Sequence, residues 1–151
     1  MAFEPIENCK PLPAGTVPPR GVRVQARRMA GRKGAAKEGG GALTRYVKIS
    51  VGAELARRLV WKSETIRCAL AFGSGRDAGK IRVAIDMTAG QFMARRDARG
   101  NYALTLNAKT CEGLFALEFP EFAVPEIAPV EAMGTPPALV FAASPEMLAV
   151  E

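Results

Sequence analysis

Three stretches between Tyr46 and Asp86 alternate apolar and polar residues, and no other feature restricts the fold so tightly. In Tyr46-Val-Lys-Ile-Ser-Val51, Val47, Ile49 and Val51 share one face, opposite Tyr46, Lys48 and Ser50. Ile66, Cys68, Leu70 and Phe72 oppose Arg67 in the next stretch, and Ile81, Val83 and Ile85 oppose Lys80, Arg82 and Asp86 in the third. Successive side chains of a strand point to opposite faces, so this pattern predicts half-buried strands with one face in a core and one in water. Between the first two strands the spacing turns helical. In Ala53-Glu-Leu-Ala-Arg-Arg-Leu-Val60, Leu55 and Leu59 lie four apart, Ala56 and Val60 widen the stripe, and Arg57 and Arg58 point away. Ser50 is the expected cap, and Glu54 in the first turn suits the positive end of the helix dipole.

Further elements flank this centre. Gly73-Ser-Gly-Arg-Asp-Ala-Gly79 has the composition of a phosphate-binding loop, but a strand follows it where such a loop needs a helix, so a hairpin connection is expected. Trp61 is expected over the helix end. Gln91 to Arg95 and Tyr102 to Leu106 form a second hairpin about the Gly100-Asn101 turn, and Leu114 to Phe119 reads as a last strand. Val22, Val24 and Ala26 alternate with Arg23, Gln25 and Arg27, enough for a short edge strand. The fold class is therefore mainly β with one short helix, a small β-barrel or swapped-hairpin sheet flanked by flexible Pro/Gly-rich arms. Three regions are expected: a basic Pro/Gly-rich arm over 1–42, a β-rich core over 43–119, and an acidic Pro-rich tail over 120–151. Prolines at 120, 125, 129, 136, 137 and 145 are expected to rule out a regular central sheet element in that tail. Leu139-Val-Phe141 and Met147-Leu148 stand in it as apolar islands, ready to dock on the core or on a protein partner.

Charge is segregated along the chain. Residues 1–41 hold eight Lys/Arg against three Asp/Glu, 42–111 hold thirteen against five, and 112–151 hold none against seven. Such a distribution points to a polyanion partner for the basic part. The tail could fold back over a basic face and compete with that partner, or be a plain solvated tail. The stretch Gly31-Arg-Lys-Gly-Ala-Ala-Lys-Glu-Gly-Gly-Gly41 reads as a flexible basic linker, either a phosphate-tracking arm or a solubilising tail. Histidine is absent, and the cysteines (Cys9, Cys68, Cys111) are odd in number and widely spaced. No nucleophile therefore has its usual base, no metal or cofactor site is expected, and the protein reads as a non-enzyme. Cys68 reads as a small core residue. The lack of a long apolar run, and of a basic start with an apolar block at Met1 to Asn8, gives the expectation of a cytoplasmic protein without a membrane span.

Lys48, Arg67, Lys80 and Arg82 project opposite the apolar faces, so neighbouring strands would place four cations on one surface. Arg76 in the glycine loop, and Arg95, Arg96 and Arg99 around the second hairpin, are further phosphate contacts. The charged outside of an ordinary one-sided sheet would look similar. The order strand, short helix, strand, Gly/Asp loop, strand, carried by Val47-Lys-Ile-Ser50, Glu54-Leu-Ala-Arg-Arg-Leu59, Ile66 to Phe72 and Ala78-Gly-Lys-Ile-Arg-Val83, resembles the swapped-hairpin AbrB/MazE-like group of bacterial DNA-binding domains. The resemblance covers about a quarter of the chain and implies a homodimer that interlaces its hairpins and offers a basic surface to double-stranded DNA. The expected function is a small nucleic-acid-binding protein, such as a bacterial or prophage transcriptional regulator. The alternative is a phage accessory or assembly protein that binds another protein through its Pro-rich ends.

Overall fold

The computed structural model describes residues 16–29, 44–107, 115–116, 118–132 and 135–149. The protein is mainly β. Its strands are β1 (Val22–Met29), β2 (Thr44–Val51), β3 (Thr65–Phe72), β4 (Lys80–Ile85), β5 (Phe92–Arg96), β6 (Tyr102–Asn107), β7 (Phe122–Val124), β8 (Val130–Ala132) and β9 (Thr135–Ala142). Among the described residues there are also two short helices, α1 (Ala53–Arg58) and α2 (Pro145–Leu148). The nine strands form one curled antiparallel sheet in the order β7-β1-β2-β6-β5-β3-β4-β9-β8. The three alternating stretches are β2, β3 and β4, and the helix between the first two is α1.

The alternating apolar residues line the inner face. Val22, Val24, Val47, Ile49, Leu104, Leu106, Ile81, Val83 and Leu139 are buried there. Leu55, Ala56 and Leu59 of α1 and its end, with Trp61, Phe115 and Met147, belong to the same buried cluster. Arg57 and Arg58 are exposed, as helical spacing requires. Burying an apolar side chain of this size contributes about 1.5–3 kcal/mol before the entropy of ordering is counted.

Ser50 does not cap α1. It lies within β2, and Gly52 stands at the cap position. The first helical amides find distant acceptors instead: Ala53 N–H donates to Asn101 Oδ1 at 3.0 Å, and Leu55 N–H to the Pro19 carbonyl at 2.9 Å. Such close passage of the Pro18-Pro19 backbone leaves no room for a side chain at 52, where a Cβ would sit 2.0 Å from Pro18 O. At the other end of α1, Val60 N–H donates to Arg57 O at 3.0 Å and Trp61 N–H to Ala56 O at 2.9 Å. This is a Schellman closure, which puts Val60 at φ 63°, a conformation that favours glycine. Trp61 then packs over the helix end as expected, its ring edge-on to Tyr102 at 5.3 Å. The Tyr102 hydroxyl donates to Ser63 O at 2.6 Å, with Trp61 O sharing at 3.1 Å.

The stretch from 120 onward is not a tail. It supplies β7, β8, β9 and α2, so the sheet extends well beyond residue 119. Pro136 and Pro137 do not prevent β9, because they fall in its first turnings beside the register irregularity against β8, where a missing N–H breaks no regular ladder. Past them, Leu139 lies opposite Val83 and Phe141 opposite Ile81, and both are buried. Phe115, expected in a last strand, lies outside any strand with its ring 6.3 Å from that of Phe72. Residues 1–15 and the glycine-rich stretch 30–43 lie outside the described residues.

The strained cap makes one substitution unusual in sign. Val60→Gly is expected to raise the urea midpoint of unfolding, since αL strain in a β-branched residue is on the order of 1–3 kcal/mol and exceeds the added chain entropy of glycine, about 0.4–1 kcal/mol. A lower midpoint would show that Val60 contributes packing greater than its strain.

Candidate nucleic-acid interface

Strand order decides which outward side chains meet. Across β1, β2, β6, β5 and β3 the pairing aligns Arg23, Ser50, Ala103, Arg95 and Thr65 in one row. A second row runs through Gln25, Lys48 and Thr105, and a third through Arg27, Tyr46 and Asn107. Met93 stands opposite Arg67 on the far strands. Every described outward side chain on these five strands is basic, neutral or small, and none is a carboxylate. Four strand spacings make this face about 19 Å wide.

The face is deepest at β5 and β3. After β4, Asp86 turns the chain: its Oδ1 accepts from Thr88 N–H at 3.2 Å and Ala89 N–H at 2.8 Å, and its carbonyl accepts from Gly90 N–H at 2.9 Å. Gly90 presses against β3 so closely that a Cβ would lie 2.9 Å from the Cys68 backbone nitrogen. The loop therefore stands as a wall beside the sheet and makes an open cleft of about 930 Å³, lined by Arg67, Arg95, Thr88, Gln91, Met93 and Thr105 among others. Both guanidiniums can grip a phosphate in a bidentate fork. Neither forms an ion pair with a described residue. Thr88, Gln91 and Thr105 add neutral hydrogen-bonding groups.

The other expected contacts fall into separate groups. Lys80 and Arg82 border a second groove, about 580 Å³, with Phe72, Val130 and Val140. Lys80 pairs there with Asp77 at 3.4 Å, while Arg82 stands between Ala71 and Val140 on the neighbouring strands. Arg76 sits exposed in the 3-10 turn Gly75–Asp77. Arg96 donates to Lys62 O at 3.2 Å and lies 4.0 Å from Glu64, and Arg99 is at the tip of the β5–β6 hairpin, held by Asp97 Oδ1 on its N–H at 2.8 Å. These last two line a shallow third cleft with Glu64 and Asp97.

Lys48, Arg67, Lys80 and Arg82 thus share the outer face but are not side by side. β6 and β5 come between β2 and β3, which sets Lys48 about 14 Å from Arg67. Arg82 pairs with Ala71, four residues along β3 from Arg67, or about 13 Å. The cations that do meet are Arg67 with Arg95, and Lys48 with the Arg27–Tyr46 pair beside it. Arg27 was open to discovery by its alternation with Val24 and Ala26, but only the β1–β2 pairing joins it to Lys48.

Among the described residues no group of three or more His, Cys, Asp or Glu could hold a metal, and no helix is long and apolar enough to cross a membrane. No protein-family profile, curated protein or solved structure matches the chain.

Cys68 lies on the core side of β3 directly behind this face, fully buried, and burial pushes its thiol up from 9.0 to about 12 against a weaker opposing backbone hydrogen bond. The folded thiol keeps its proton where an unfolded one would release it. Its contribution to stability is therefore complete below pH 9.0 and is lost as pH rises towards about 12. Peptide-resolved alkylation at neutral pH is expected to leave Cys68 unmodified until the protein is unfolded in urea. Labelling of the native protein at Cys68 would contradict its placement in the core.

Proposed function

We propose that this protein is a non-enzymatic nucleic-acid-binding protein that docks on double-stranded DNA through the outer face of β1, β2, β6, β5 and β3. The observation that carries the reading is a five-strand face whose own described outward side chains include no carboxylate, with two guanidiniums, Arg67 and Arg95, in one cleft and without an ion pair to any described residue. In this mechanism the cleft seats a backbone phosphate, and Lys48 and Arg27 extend the contact along the face. Each phosphate neutralised releases condensed counterions, so affinity falls steeply with salt. Arginine can also take a guanine edge where the groove presents one. A bacterial or prophage transcriptional regulator working as a homodimer fits this reading. The resemblance of residues 46–86 to swapped-hairpin DNA-binding domains points the same way, and β2, α1, β3 and β4 keep its order of elements.

A second reading, an accessory or assembly protein that binds another protein, is favoured by the groove between β4, β9 and β8. There Phe72 and Val130, 40% and 50% exposed, flank Arg82. Exposed apolar groups beside a cation suit a protein partner better than a phosphate chain.

Electrophoretic retardation of a short duplex separates the two. Retardation is expected at about 50 mM salt and should weaken steeply by about 200 mM. Arg67→Glu with Arg95→Glu is expected to abolish it, while Phe72→Asp leaves it intact. A wild-type protein that leaves the duplex unshifted at the lowest salt would overturn the proposal and favour the second reading.

A further inference from the structure

The basic face continues onto β1, but there one of its cations is already occupied. Residues 118–126 run along the outer edge of β1, with β7 antiparallel to it and Ala123 opposite Arg23. Each carboxylate of this segment meets a cation from the basic part of the chain. Glu118 lies 3.4 Å from Arg45, and Glu126 lies 4.0 Å from Arg20. Glu121 is held most closely: Arg23 Nε and Nη2 donate to its two oxygens at 2.6 Å each, and Gln25 Nε2 donates at 3.0 Å.

We propose that Arg23 and Gln25 form a further phosphate seat of the same interface, filled in the free protein by the Glu121 carboxylate and vacated when nucleic acid binds. The inference rests on the nucleic-acid reading. Its geometry is that of a bound anion, since a fork of two parallel N–H donors accepts a carboxylate and a phosphate alike. Arg23 lies in the row that ends at Arg95 and Thr65, three strand spacings or about 14 Å from the cleft. The Arg23 side chain is 13% exposed and that of Glu121 44%, so the carboxylate is the outer member and the cation is covered by it.

The Arg23 hydrogen bond, opposed by slight burial and reinforced by Gln25 and by the charges of Arg23 and Arg27, holds the Glu121 carboxyl below its ordinary value. It is therefore a full negative charge wherever the protein meets nucleic acid. Displacement needs no unfolding. Phe122 and Val124 pack against the core and keep β7 in place, while Glu121 has only to rotate away. Glu121 is the solvent-side member of the pair, so a phosphate chain bound at several other points can replace it from outside. The chain thus carries its own competitor for one contact, and the central cations Arg67 and Arg95 stay open.

Glu121→Gln frees Arg23, and Glu131→Gln is its control. Glu131 lies on β8 at the opposite edge of the sheet, and its substitution changes the net charge equally. In duplex titrations over a salt series, Glu121→Gln is expected to bind more tightly than Glu131→Gln. In both complexes the Arg23 seat holds a phosphate, so the two slopes of log affinity against log salt should match. Adding Arg23→Gln to Glu121→Gln should remove the gain in affinity and make the slope shallower by about 0.9, one phosphate fewer. Equal affinities for the two single variants, or a slope that Arg23→Gln leaves unchanged, with wild-type binding present, would overturn the shared seat alone. If wild type and both variants all fail to bind, the nucleic-acid reading itself falls.

Discussion

A single sheet with one apolar face must be covered by something, and among the described residues no second sheet does it. The cover is assembled from connections: α1, Trp61, Phe115, Ile127 and Met147 close over the inner residues of the strands. Those connections need acceptors and donors of their own, which explains the long-range caps on α1 from Pro19 and Asn101 and the Tyr102 hydroxyl on the Trp61–Ser63 backbone. The tight approach of Pro18 and Pro19 to Gly52 belongs to the same arrangement, since it brings the start of β1 against the end of β2. Losing the inner burial would release all of these at once.

Fixing the inner face also fixes the outer one. A strand that slipped by one residue would carry its valines and leucines into water, so the register is held firmly wherever one face is buried. The outward residues inherit that rigidity at no extra entropy. Arg67 and Arg95 are held on adjacent strands with Thr65 opposite Arg95 and Met93 opposite Arg67, and the Asp86–Gly90 turn walls them in. A loop could offer the same charges, but not in one defined spacing.

The acidic end of the chain has a structural role that its composition conceals. Three of its carboxylates, Glu126, Glu121 and Glu118, lie against Arg20, Arg23 and Arg45, at the β1 and β2 side, while β9 occupies the other side beside β4. The charge segregation seen along the sequence is therefore partly cancelled in space. Lys80 is tempered by Asp77, and Arg96 by Glu64, while Arg67 and Arg95 in their cleft form no ion pair with a described residue.

Alternation was enough to orient Lys48, Arg67, Lys80 and Arg82, because which face a residue occupies in a strand depends only on its neighbours along the chain. It also gave the burial of Cys68, the helix between β2 and β3, and the hairpin at Gly100. Their distances could not be read in the same way. The separation of Lys48 from Arg67 depends on β5 and β6 lying between their strands, and the approach of Glu121 to Arg23 joins residues 98 positions apart. Pro136 and Pro137 carried a misleading local signal, since a proline is harmless at a strand's irregular start and the later Leu139 and Phe141 are drawn in by Ile81 and Val83. The facing of each strand residue was therefore legible in its neighbours along the chain, because it is a matter of local backbone geometry. Which cations became neighbours, and which met a carboxylate, came only with strand order, which was set by how the whole apolar face could be covered.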